Sequence, residues 1–103
     1  MKRIEVTVVR IYITEGGGLL RDLLRRLHDE EKVRGVTVFR GITGFGRSGR
    51  MHSASLVDLG MDLPVVVEFF DLPERVEQIL HDLRDVIPAG HAVWWTARLN
   101  DGE

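Results

Sequence analysis

A chain of 103 residues with 44 % hydrophobic side chains fits a single domain, expected to run over residues 1–103, and can build one small core. It contains no cysteine, which excludes disulfides and thiolate metal sites, and its formal net charge of −2 argues against a general nucleic-acid binder. No continuous apolar stretch marks a signal peptide or a membrane span, so the expected location is the cytoplasm, with no membrane insertion.

Residues 4–13 are rich in β-branched side chains and predict a first strand. Gly16, Gly17 and Gly18 break it. Leu19, Leu20, Leu23, Leu24 and Leu27 then recur at helical spacing with Arg21, Asp22, Arg25 and Arg26 between them. That pattern predicts an amphipathic helix ending near Lys32. Residues 36–42 predict a second strand, and the glycine-rich, polar stretch 43–55 carries no period and is expected to be a loop. Residues 63–70 predict a third strand. Asp71 is the expected N-cap of a second helix, with Pro73 and Glu74 in its first turn and Val76, Ile79, Leu80 and Leu83 as its apolar stripe. Pro88 and Gly90 stop that helix, and residues 91–99 predict a fourth strand before a polar tail.

The order βαββαβ is the ferredoxin-like arrangement, an α+β sandwich in which two helices cover one face of a four-stranded antiparallel sheet. In the third strand Leu63, Val65, Val67 and Phe69 share one side, while Val66 and Phe70 lie on the other. Trp94 and Trp95, adjacent in the fourth, must point to opposite faces. A sheet apolar on both sides needs cover on both, so the helix-free face is expected to be buried against further copies of the chain in a closed homo-oligomer.

Charge is unevenly spread. Residues 32–57 contain no acid but hold Lys32, Arg34, Arg40, Arg47 and Arg50, which points to an anionic partner at one place. Within this stretch Gly41, Gly44, Gly46 and Gly49 fall close together. Glycines permit positive φ and let backbone N–H groups approach an anion. The arginines supply charge-assisted hydrogen bonds to phosphate or carboxylate, and Phe45 offers a face on which a base can stack. The opposing reading makes the glycines a turn and Phe45 an interface plug.

Arg40-Gly41-Ile42-Thr43-Gly44-Phe45-Gly46-Arg47, then Met51-His52-Ser53, then Asp62-Leu63-Pro64-Val65-Val66-Val67-Glu68 resemble a family of uncharacterised PII-like proteins, a domain of unknown function within the PII-like signalling superfamily. The resemblance covers nearly the whole chain. It implies a PII-like homotrimer and a regulatory rather than enzymatic role. It also implies adenine nucleotides in clefts between subunits and a partner protein met by the loop between the second and third strands, the T-loop, here 43–55. No cofactor is required; AMP or ADP is the expected ligand. Triphosphate binding is not expected, because Pro88-Ala89-Gly90-His91 lacks the lysine that nucleotide-binding PII proteins carry before the last strand. The expected ligand-binding set is Arg40, Gly41, Gly44, Phe45, Gly46, Arg47, His52, Ser53, Gly90 and His91.

Competing chemistry finds less support. His28, His52, His81 and His91 show no i, i+4 metal pair. His52 and Ser53 are adjacent and lack a G-x-S-x-G elbow. Glu68 is a lone carboxylate, expected to pair with a neighbouring arginine. An acylphosphatase-like loop after the first strand is contradicted by Glu15, an acid where an anion would bind. An RNA-recognition module would need its aromatics in central strands, whereas Phe45 follows the second. The remaining alternatives are a ligand-free assembly module of the same fold, a dimeric α+β barrel, and a small ferredoxin-like enzyme. No catalytic or metal-ligating residue is expected.

Overall fold

The computed structural model describes residues 1–45, 52–53 and 63–102. Six strands and two helices follow in the order β1 (Arg3–Thr14), α1 (Leu19–Arg25), β2 (Gly35–Arg40), β3 (Thr43–Gly44), β4 (His52–Ser53), β5 (Pro64–Asp71), α2 (Pro73–Asp82) and β6 (Ala92–Asn100). Four strands form one sheet in the order β2-β5-β1-β6, every pairing antiparallel. This is the ferredoxin-like α+β sheet that the element order predicts. The pair β3–β4, a two-stranded ladder matching Thr43 with Ser53 and Gly44 with His52, was not expected: part of the predicted loop is strand at its root.

The ladder places Val9 opposite Phe69, Ile11 opposite Val67 and Ile13 opposite Val65. Period-two geometry therefore gathers these six side chains on one face. Leu23 and Leu27 from the first helical segment, and Val76, Ile79 and Leu83 from the second, close over them in one buried cluster. Burying each such side chain is worth roughly 1.5–3 kcal/mol relative to exposing it, so both helices are held by the stripes their sequences carry.

Helical geometry departs from expectation at two ends. The first helix is α-helical only to Arg25, then widens into a π turn over Arg26–Glu30. There the N–H of Glu31 donates to the carbonyl of Arg26 at 2.9 Å, five residues back. Lys32, at φ 53°, reverses the chain in the left-handed region. Asp71 is not the cap of α2. It is the last residue of β5, paired with Thr7 and buried, so the N-cap shifts to Leu72, which makes no side-chain cap bond. Asp71 instead accepts the N–H of Leu72 through Oδ1 at 2.7 Å. Pro73 opens the helix as predicted.

Among the described residues no helix lies on the other face of the sheet. Registers put Val8, Arg10 and Tyr12 of β1, Val66, Glu68 and Phe70 of β5, Phe39 of β2, and Val93 and Trp95 of β6 on that side. Tyr12, Phe39, Val93 and Trp95 are each between 43 and 47 % exposed. Arg10 lies among them, its Nε 2.6 Å from Glu68 Oε1 and its guanidinium 5.9 Å and 5.7 Å from the ring centroids of Phe39 and Trp95. Glu68 thus has the arginine partner its isolation predicted. Trp94 and Trp95 do face opposite sides, Trp94 opposite Val9 and Trp95 opposite Val8. Among the described residues no helix is long and apolar enough to cross a membrane.

Candidate functional site

One end of the sheet collects the start of β5, the ends of β1 and β2 and the start of β6. Arg40 is the last residue of β2, opposite Val65, and Val65 in turn is opposite Ile13. His91 precedes β6 and lies level with Tyr12, whose N–H it accepts at 2.8 Å. Arg40, Gly41, Gly44 and Phe45 therefore sit at one edge of this end, and Gly90 and His91 at the other. Three strand spacings, roughly 14 Å, separate the two edges. Of the ten predicted ligand residues, those the structure describes lie at one end of the sheet but fall into two groups within a chain. Gly46 and Arg47 lie outside the described residues, and of His52 and Ser53 only the backbone pairing is described.

Arg40 is an exposed guanidinium that, among the described residues, has one carboxylate partner: it donates through Nη2 to Glu15 Oε1. Glu15 immediately follows β1, and its own N–H donates to the carbonyl of Leu63 at 2.9 Å. Sequence inspection noted Glu15 only as an acid out of place in a phosphate loop. The strand order, which sets the ends of β1 and β2 on either side of β5, is what brings it to Arg40.

The glycines do different work from that expected. Neither Gly41 nor Gly44 has positive φ, whereas Gly17, Gly18 and Gly90 do. A Cβ on Gly41 would lie 2.8 Å from Pro64 Cγ, and one on Gly44 would lie 3.4 Å from the same atom. The N–H of Gly41 donates to the carbonyl of Pro64 at 2.7 Å, so that amide is engaged within the chain. These two glycines make room for Pro64 and root the loop against β5; they do not form an anion nest by left-handed backbone. Pro64 is a wall of the site that residue-type reasoning missed, since a proline at a strand start signals only a boundary.

Phe45 is 70 % exposed and presents a ring to whatever approaches the loop base. Gly90, at φ 83°, makes the tight turn that sets His91 against β1. The Nδ1 of His91 lies 2.7 Å from the carbonyl of Tyr12. A carbonyl only accepts, so Nδ1 carries the proton in that bond and Nε2 is left for another partner. This end of the sheet thus offers a cation and an aromatic face at the β2 edge and an imidazole at the β6 edge, groups of the kind that bind an anion carrying a flat, hydrogen-bonding group. A groove of about 680 Å³ between the first helix and β2, floored by Leu24, Val33, Val36 and Val38, contains none of these residues.

The family model DUF190, described as Uncharacterized ACR, matches residues 6–99. A UPF0166 protein of Methanocaldococcus jannaschii is 31 % identical over 88 residues, covering 82 % of this chain and 81 % of that one. A UPF0166 protein of Aquifex aeolicus is 32 % identical over 89 residues, covering 82 % and 84 %. Among solved structures, CPII from Thiomonas intermedia, a nitrogen regulatory PII-like protein bound to ADP, AMP and bicarbonate, superposes with a TM-score of 0.70 at 20 % identity, covering 99 % of this chain and 92 % of that chain. The divalent ion tolerance protein CutA1 from Ehrlichia chaffeensis superposes with a TM-score of 0.60 at 9 % identity, covering 95 % and 84 %. At such identities the structural likeness establishes a shared fold.

Proposed function

This chain belongs to the DUF190 family and has a PII-like fold, and from that premise we propose that it is a non-enzymatic regulatory protein, a single domain acting as a homotrimer. In this reading it senses a small anionic metabolite, AMP or ADP, in clefts between subunits. Binding alters the 43–55 loop and so its fit to a partner protein.

The observation that carries the reading is the division of the candidate residues between two edges of one sheet end. Arg40 and Phe45 at the β2 edge and His91 at the β6 edge are about three strand spacings apart in one chain. A cleft between neighbouring copies joins the β2 edge of one to the β6 edge of the next. The ADP and AMP held by CPII support the choice of ligand class, and the exposed Arg40 supplies the charge.

Titration calorimetry of the purified oligomer with AMP, ADP, ATP and cyclic AMP tests it. Saturable binding near one site per chain is expected, with Arg40→Ala weakening it roughly ten- to a hundredfold, the effect of losing a charge-assisted hydrogen bond. Absence of binding by all four to a well-folded oligomer overturns the adenine-nucleotide reading. The second reading, an assembly module without a ligand, is favoured by the apolar helix-free face alone and is what such a result leaves standing.

A further inference from the structure

We infer that Glu15 and the anionic ligand compete for Arg40, so that Glu15 sets both the affinity of the site and its preference among anions. The inference deepens the proposed function and rests on Arg40 being an anion-binding residue.

The two charges are held face to face by the backbone. The N–H of Glu15 donates to the carbonyl of Leu63 at 2.9 Å, and the N–H of Gly41, next to Arg40, donates to the carbonyl of Pro64 at 2.7 Å. Leu63 and Pro64 are consecutive residues at the start of β5, the strand that lies between β1 and β2. The contact between Arg40 Nη2 and Glu15 Oε1 therefore bridges two chain segments anchored to neighbouring carbonyls. It is not the meeting of two freely swinging side chains. Glu15 is the more enclosed partner, its side chain 20 % exposed against 64 % for Arg40. The carboxylate is built into the loop base and the guanidinium reaches to it.

A phosphate takes a guanidinium through two parallel N–H bonds, and Glu15 already occupies one of the terminal nitrogens. An incoming phosphate must displace that carboxylate or accept a like charge beside it. Either costs more for a pyrophosphate end than for a monophosphate, since the repulsion grows with the charge brought in. Glu15 thus disfavours ligands with more charge. Where the carboxylate is displaced, the side-chain link between the turn after β1 and the end of β2 is lost, while both segments stay bonded to the carbonyls of Leu63 and Pro64.

Glu15→Gln keeps the size and one acceptor oxygen of the side chain and removes its charge. We expect ADP and inorganic pyrophosphate to bind this variant about three- to fivefold more tightly than the wild type, the worth of a partly exposed ion pair, with a smaller gain for AMP. The gain should vanish when Arg40→Ala is already present. A wild type that binds ADP while Glu15→Gln binds it equally or less tightly overturns the inference and leaves the proposed function intact. A gain that survives Arg40→Ala also overturns it, because Glu15 would then act through the general field. Failure of all variants to bind any of the three probes removes the proposed function, and this inference with it.

Discussion

Gly41 is constrained by its neighbour rather than by its own dihedral angles. A methyl group there would meet Pro64 Cγ at 2.8 Å, closer than carbon atoms pack, and the adjacent amide is bonded to the carbonyl of the same proline. Gly41→Ala must move Pro64 or the loop root. We expect it to cost about 1–3 kcal/mol, as overpacking does, read as a lower denaturation midpoint in urea at unchanged slope. The same substitution at Gly90 meets no atom within 4 Å but carries the strain of φ 83°. Two glycines that look alike in the sequence are thus needed for unrelated reasons, one for space and one for backbone sign. Which reason applies to which residue depends on Pro64, which lies far from Gly41 along the chain and directly beside it in the sheet.

Where the two helices meet, charge is concentrated in a small space. Arg26 of the π turn donates to the carbonyl of Asp82 at 2.9 Å and to Asp85 Oδ1 at 3.3 Å, and Arg75 donates to the carbonyl of Glu31. Glu31 is buried beside Asp82. Burial first, and then the negative charge and hydrogen bond of Asp82, push its carboxyl above the usual range, with Arg75 and Arg26 pulling the other way. An acid whose folded pKa is raised binds its proton more tightly folded than unfolded, so folding is favoured at low pH and loses that contribution as pH rises through the folded value. Glu31→Gln imitates the protonated form. Thermal unfolding followed from pH 4 to 8 should show the variant gaining on the wild type as pH rises, with the difference smallest at the acid end. A constant difference across that range would mean that the surroundings of Glu31 do not raise its pKa on folding. The apolar stripe of the helix was plain from Leu19, Leu23 and Leu27. The π turn was not, because it depends on where the chain must deliver Leu27 to the core and Arg26 to α2.

Among the described residues, one face of the sheet is covered by the two helical segments and the other carries no helix. Tyr12, Phe39, Val93 and Trp95 lie exposed around a central Arg10–Glu68 pair, and soluble proteins seldom leave such a surface open. The ion pair gives the face a register, since a second copy must leave both charges paired or bury one alone. Trp95→Glu places an unpaired acid among these aromatics. We expect the mass in solution to fall from three chains to one while the far-ultraviolet circular dichroism stays unchanged, because the helix-side core does not touch position 95. A wild-type mass of two chains would replace the trimer with the dimeric barrel arrangement. A variant that remains fully assembled would show that the sheet face is not the interface.

Strand and helix order, the faces of β5, the opposition of Trp94 and Trp95 and the family resemblance were all legible in the residues, because side-chain periodicity is a local property. The motif that begins at Arg40 lies, as far as Phe45, at the end of the sheet where β2 stops. Strand extension to Asp71, the β3–β4 ladder, the packing of Gly41 on Pro64 and the meeting of Glu15 with Arg40 were not legible. Each arises from pairing between separate segments of the chain, most of them more than twenty residues apart, and such contacts are set by strand order and register, which leave no local pattern in a single sequence.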